Sequence, residues 1–301
     1  MSGLLFDDVA RFLGRFVVMS QHQVDACTLW VAHTHAIDAA DSTPYLAVTS
    51  AEKRSGKTRL REVLELLVRV PLSASNISDA ALFRAIANLG PTVLLDEADA
   101  IFKAKDREDL RGMLNAGYRR GNVVYRMGGN GKTVLESFPV FSAKALFGIG
   151  DFLPDTLADR SVSIRMERRT RDEPVERFRR RDTEADGLLL NQSLADWIEP
   201  QIEWLHSMRP HLPEELDDRA QDSIMPATNT RSSGASPTVA YAMWMSPLFA
   251  YRTARLTPPA RGSPRSSSRA PSRRTRRARP RSERRPKQSR SEPASTCASD
   301  G

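Results

Sequence analysis

The segment that most narrows the choice of fold is a strand-like run that hands directly to a helix through a polar loop. Tyr45-Leu46-Ala47-Val48-Thr49 is short, apolar and β-branched. Ser50-Ala51-Glu52-Lys53-Arg54-Ser55-Gly56 follows, and then Lys57-Thr58 opens a stretch with Leu60, Val63, Leu64 and Leu67 on one side. A strand feeding a helix in this way is half of a β–α–β unit, which predicts a mainly parallel sheet covered by helices on both faces. The loop matches the phosphate-binding pattern G-x-x-x-x-G-K-[ST], with Ala51 in the place of the first glycine. Its chemistry fits that spacing. Backbone N–H groups of Lys53, Arg54, Ser55, Gly56, Lys57 and Thr58 can wrap an anion at a helix N-terminus, and Gly56 lets the backbone come close. Lys57 would reach β- and γ-phosphates, and Thr58 would offer its hydroxyl to Mg²⁺. The plainer alternative is a polar turn closed by Gly56 with a solvated lysine; the strand–loop–helix setting favours the phosphate reading.

A second apolar strand, Pro91–Leu95, ends in Asp96-Glu97, 38 residues after Thr58. Paired with such a loop, the first acid is expected in the Mg²⁺ shell and the second to orient and deprotonate water. The separation leaves room for a further strand near Leu72–Ser75, which favours phosphate-loop proteins with a catalytic glutamate over small nucleotide kinases. Asn130-Gly131-Lys132-Thr133 spells a second G-K-T, but β-formers and Pro139 follow it, so the sequence predicts a hairpin turn there. Arg160 closes a short helical turn, 154–160, before a strand at 161–166. It is a candidate for stabilising transition-state charge in a neighbouring subunit. The alternative for it is an ion pair with Asp155 or Asp159, and Arg119 and Arg120 are weaker candidates for the same role. His33 and His35 are two apart on a helix and read as ordinary helix residues.

The remaining pattern predicts helices at 4–17, 23–40, 57–68, 78–90, 106–118 and 186–222. A hairpin is expected at 123–127 and 133–137, and further core strands at 140–149 and 161–166. The expected organisation is an N-terminal helical segment (1–41), a phosphate-loop α/β core (42–170), a helical lid (171–226) and a disordered Arg/Ser/Pro-rich tail (227–301).

Charge divides the chain the same way. The formal charge is +8, yet residues 228–301 carry 16 Lys/Arg against 3 Asp/Glu, and residues 1–227 carry 29 against 34. The basic character belongs to the tail, so it does not make the body a nucleic-acid binder. Two cysteines, Cys27 and Cys297, supply neither a disulfide framework nor a cysteine metal site. No apolar run approaches the roughly 20 residues of a membrane span. Asp7 and Asp8 sit where a secretory signal requires positive charge. The expectation is a cytoplasmic protein with no membrane partner.

Five stretches in order resemble a family of phage, plasmid and bacterial proteins catalogued as domain of unknown function 3631. They are residues 50–59, Leu95-Asp96-Glu97-Ala98-Asp99, Leu114-Asn115-Ala116-Gly117-Tyr118-Arg119-Arg120-Gly121, 145–150 and 153–162. The resemblance spans about residues 4–224. It implies a P-loop ATPase binding ATP and Mg²⁺ through Lys57, Thr58, Asp96 and Glu97, serving helicase- or primase-type DNA transactions of a mobile element, with self-association in view. Two alternatives remain: a nucleotide-binding switch with little turnover, and a non-enzymatic, basic-tailed nucleic-acid binder with a vestigial P-loop. After Asp222 the chain departs from the family's ordered helical continuation. A frameshift would produce such a tail, as would a genuine nucleic-acid-binding extension.

Overall fold

A computed structural model describes residues 2–74, 77–104, 107–128 and 134–207. The chain divides into two units, Met1–Pro258 and Pro259–Gly301. The second unit, and with it the expectation of a disordered tail at 227–301, lies outside the described residues, as does the turn at Asn130–Thr133.

In chain order the elements are α1 (Ser2–Phe16), α2 (Gln21–His35), β1 (Tyr45–Ser50), α3 (Lys57–Leu67), β2 (Pro71–Ala74), α4 (Asp79–Leu89) and β3 (Thr92–Leu95). There follow α5 (Ala98–Lys103), α6 (Glu108–Ala116), β4 (Val123–Gly128), β5 (Val134–Pro139), β6 (Lys144–Ile149), α7 (Asp155–Ala158), β7 (Ser161–Met166), α8 (Arg180–Ile198) and α9 (Ile202–Ser207). Five strands make one sheet in the order β2-β3-β6-β1-β7, every neighbouring pair parallel, and β4 and β5 form a separate antiparallel hairpin. The α/β class expected from the sequence is what the chain adopts.

Successive side chains of the continuously buried strands point to opposite faces, which explains the layers. On one face Leu46, Val48, Leu94, Ala145, Phe147, Val162 and Ile164 meet α1, α2, α3 and α8. On the other, Tyr45, Val93, Leu95 and Leu146 meet Leu82, Phe83 and Ile86 of α4 and Leu110, Met113 and Leu114 of α6. A parallel sheet needs both faces covered because its strands are apolar on both sides. The N-terminal helices and α8 therefore share one core with the sheet.

Several boundaries differ from the sequence expectation, each for a local reason. Ser20 caps α2 with a reciprocal capping box to Gln23, and the helix stops at His35, where a 3-10 turn, Ile37–Ala39, takes over. The helix expected from residue 186 already begins at Arg180, and Pro200 lies in a 3-10 turn, Glu199–Gln201, that separates it from α9. Ser78 caps α4 and Gly90 ends it, as expected. The extra strand foreseen near Leu72–Ser75 is β2, but it lies at the sheet edge. The strand that separates β1 from β3 in space is β6, which comes from much later in the chain.

Candidate functional site

In a parallel sheet the loops that leave the C-terminal strand ends gather along one edge, where ligands of open α/β sheets bind. Here that edge carries Ser50 at the end of β1, Asp96 directly after β3 and Ile149-Gly150 at the end of β6. β1 and β3 are two strand spacings apart, roughly 10 Å. That is room for an anion and a cation between loop 51–56 and the acids.

The loop conformation is set by two left-handed residues, Arg54 at φ 64° and Gly56 at φ 90°. A Cβ on Gly56 would meet Met166 of β7 at 3.4 Å, and the positive φ would strain any side chain there. Gly56 precedes the first turn of α3, where it supplies no side-chain cap. The N–H groups of that turn have no intrahelical partners and face the loop. Lys53 and Arg54 are exposed, Ser55 is buried, and Thr58 is exposed at the second position of α3.

The Lys57 ammonium folds back into the loop. It donates to Ser50 Oγ, to Ser55 Oγ at 3.3 Å and to the Glu52 carbonyl at 3.4 Å. It gathers the oxygens that the loop itself supplies. Partial burial lowers its pKa from the ordinary lysine value, and the nearby carboxylates of Asp96 and Asp99 offset part of that.

Asp96 is half-buried. Its Oδ1 accepts the Glu97 N–H at 3.0 Å, and its Oδ2 forms an ion pair with Arg61, 3.3 Å from an Nε that makes no hydrogen bond. Glu97 is the residue before α5, at φ 54°, a conformation uncommon for a non-glycine residue and often associated with function. Its side chain is exposed. Asp99 accepts the Ile149 N–H at 3.3 Å and pairs with Lys103, tying α5 to the end of β6. Sequence reasoning passed over Asp99 and Arg61 as site residues. Their signal was present: Arg61 is one helical turn after Lys57, and Asp99 is three residues after Asp96.

The donor set suits a small hard cation. Asp96 and the Thr58 hydroxyl offer oxygens. Among the described residues there is no group of three or more His, Cys, Asp or Glu able to hold a metal. A cation held by one carboxylate, one hydroxyl and ligand phosphates is the habit of Mg²⁺.

Arg160 is elsewhere. It precedes β7 at the opposite, N-terminal edge of the sheet, where its carbonyl accepts the Tyr45 N–H at 2.9 Å. Its guanidinium lies 4.1 Å over the Tyr118 ring and donates to the Asn115 carbonyl at 3.4 Å. Within one chain it is a full strand length from loop 51–56. Arg120 is also occupied: it donates to the carbonyls of Ile37 and Ala40 and lies 4.5 Å over Phe141. The Asn115–Arg120 stretch thus fastens the N-terminal edge.

That edge also holds Lys144, fully buried, with Nζ donating to the carbonyls of Gly117, Val140 and Ser142 at 3.2, 3.0 and 2.9 Å. Burial lowers its pKa to about 7. A Cβ on Gly117 would lie 2.6 Å from Lys144 Nζ and 2.5 Å from the Val140 carbonyl, so glycine alone fits there. His33 and His35 are buried core residues. His33 Nε2 pairs with Thr43 at 2.8 Å and His35 Nε2 with the Leu67 carbonyl at 2.9 Å, and burial takes the His33 pKa down to about 3. Cys27 is buried and its thiol is pushed up to about 12, which makes it inert. No described helix is long and apolar enough to cross a membrane.

The five motifs that carry the sequence resemblance, residues 50–162, all precede the segment that a family comparison matches, so the loop, Asp96 and Arg160 stand on their geometry. No curated protein matches the chain. Residues 165–235, from the end of β7 through α8 and α9 and beyond the described residues, match the model of a family described as a protein of unknown function (DUF3631), and it is over this segment that the chain is similar to that family.

Proposed function

We propose that the chain binds ATP with Mg²⁺ at loop 51–56 and hydrolyses it. The observation that carries this reading is the Lys57 ammonium, drawn into a ring of Ser50, Ser55 and Glu52 oxygens beside Asp96. A lysine in that position exchanges loop oxygens for phosphate oxygens with little movement. The backbone N–H groups of Lys53 to Thr58 take the phosphates, Asp96 and Thr58 hold the cation, and Glu97 orients a water and accepts its proton. Bound Mg²⁺ would neutralise developing charge on the phosphate oxygens. The Glu97 side chain is exposed, directly after Asp96, and is our candidate for the base.

The interposed strand β6 supports this over the arrangement of small nucleotide kinases, because it opens the gap that a water and a catalytic glutamate require. A role in DNA replication or helicase-type work of a mobile element, with nucleic acid and a second copy as partners, extends the proposal by resemblance. The direct test is phosphate release from ATP by the full chain with Mg²⁺, wild type against Glu97→Gln. Retained binding with lost turnover supports hydrolysis. Binding with no turnover in either protein makes the chain a nucleotide switch.

A further inference from the structure

Lys57, Arg61 and Glu65 stand four residues apart on α3 and so form one stripe, about 12 Å long, running away from the loop. From Asp96 the contacts along it alternate in sign, through Arg61 and Glu65 to Arg180 and Glu184. Arg61 Nε lies 3.3 Å from Asp96 Oδ2, an ion-pair contact without hydrogen-bond alignment, while its Nη1 reaches Glu65 Oε2 at 3.3 Å and the Ser73 hydroxyl at 3.1 Å. Ser73 in turn donates to the same Glu65 oxygen at 2.9 Å. The other Glu65 oxygen accepts from Arg180 Nη1 at 3.1 Å, and Arg180 Nε pairs with Glu184 at 3.2 Å. Arg180 is the first residue of α8, the helix inside the family-matched segment. Arg61, Glu65 and Asp96 are only 19%, 20% and 27% exposed, so these pairs are less screened than surface ion pairs.

We propose that this chain of charges couples the cation seat at Asp96 to the N-terminal turn of α8, an inference that rests on the nucleotide reading above. One guanidinium is shared between two carboxylates. A divalent cation on Asp96 repels Arg61, which then gives its whole fork to Glu65. Glu65 releases Arg180 in proportion, and the first turn of α8 loosens. Loading of the site is thereby reported some distance away on the element that packs against α3. Metal-free nucleotide lacks the divalent charge and leaves Arg61 on Asp96.

Hydrogen exchange on the full chain tests this without reference to turnover. With Mg²⁺ and ATP, amides 51–60 should slow and amides 182–186 should exchange faster, by about fivefold or more. With ATP and a chelator only the loop should slow. Arg61→Lys should keep the fold and the loop protection but lose the response of α8, because a point charge meets Asp96 or Glu65 and lacks the planar fork to hold both. Arg180→Gln, at the exposed end of the chain of charges, should give fast exchange at 182–186 with or without Mg²⁺. Loop protection with 182–186 unchanged in wild type overturns the coupling and spares the nucleotide reading. A response that persists in Arg61→Lys overturns the route through Arg61. Absence of loop protection in wild type overturns the nucleotide reading, and the coupling with it.

Discussion

The two edges of the parallel sheet each hold a lysine, and the two are treated in opposite ways. At the N-terminal edge Lys144 is sealed in, its three protons spent on three backbone carbonyls, with the Tyr45 ring 5.1 Å away and Gly117 pressed against it. At the C-terminal edge Lys57 is only partly buried and rests on side-chain hydroxyls and one carbonyl. The first arrangement satisfies polar groups that burial would otherwise orphan, and nothing in it can be exchanged for a ligand. The second is a set of weak, replaceable hydrogen bonds beside two carboxylates. A cation's partners, rather than its burial alone, distinguish a structural clamp from a candidate binding site.

The largest effect is expected at the open edge: Glu97→Gln should lower turnover by about 10²–10⁴ while leaving nucleotide affinity near wild type. Wild-type turnover in a folded variant would move the base elsewhere.

At the sealed edge Lys144→Met should cost roughly 3 kcal/mol, because three buried carbonyls lose their donor, with nucleotide affinity per folded molecule unchanged. Denaturant midpoints measure the first and titration the second. A loss of affinity without a loss of stability would reverse the assignment of the two lysines.

Proton linkage sharpens the same contrast. The folded-state pKa of Lys144, about 7, lies below its ordinary value of 10.5. Between those values the unfolded chain binds more protons, so this group's contribution to stability grows as pH rises from about 7 toward 10.5 and is lost as pH falls through 7. Stability of wild type relative to Lys144→Met should therefore increase from pH 7 to pH 9. An unchanged difference would mean that the ammonium stays charged in its carbonyl cage.

The smallest effect is expected at Arg160. Removing its guanidinium from the Tyr118 ring should cost about 0.5–1 kcal/mol, and turnover should hold if the N-terminal edge is wholly structural. Mixing Arg160→Ala with Lys57→Ala chains examines the other role. Recovered activity would show Arg160 completing a neighbour's site.

Much of this was legible from sequence, and the reasons differ by element. Short continuous apolar runs set β1 and β3, and Ser78 and Gly90 set the limits of α4, because both signals are local. The turn from β1 into α3 was legible because Gly56 takes the left-handed φ that the helix start requires. The place of β6 between β1 and β3 was not, since pairing across about 50 to 100 residues leaves no local trace. The cage of Lys144 was not legible, because Val140 and Ser142, though only four and two residues away, present their carbonyls from an irregular stretch, and the third, Gly117, comes from a helix end 27 residues earlier. Arg160 suggested a neighbour's site because its stacking partner, Tyr118, lies 42 residues earlier.

The central claim, that Lys57 stands in an exchangeable phosphate seat, is met most directly by calorimetric titration of ATP with Mg²⁺ into wild type and Lys57→Ala. Because Lys57 is spent only on loop oxygens, the variant should keep its denaturant midpoint to within about 1 kcal/mol of stability. Its affinity should fall by about tenfold or more, the scale of a single charge-assisted hydrogen bond to phosphate. A folded Lys57→Ala chain that binds ATP as tightly as wild type would contradict the account.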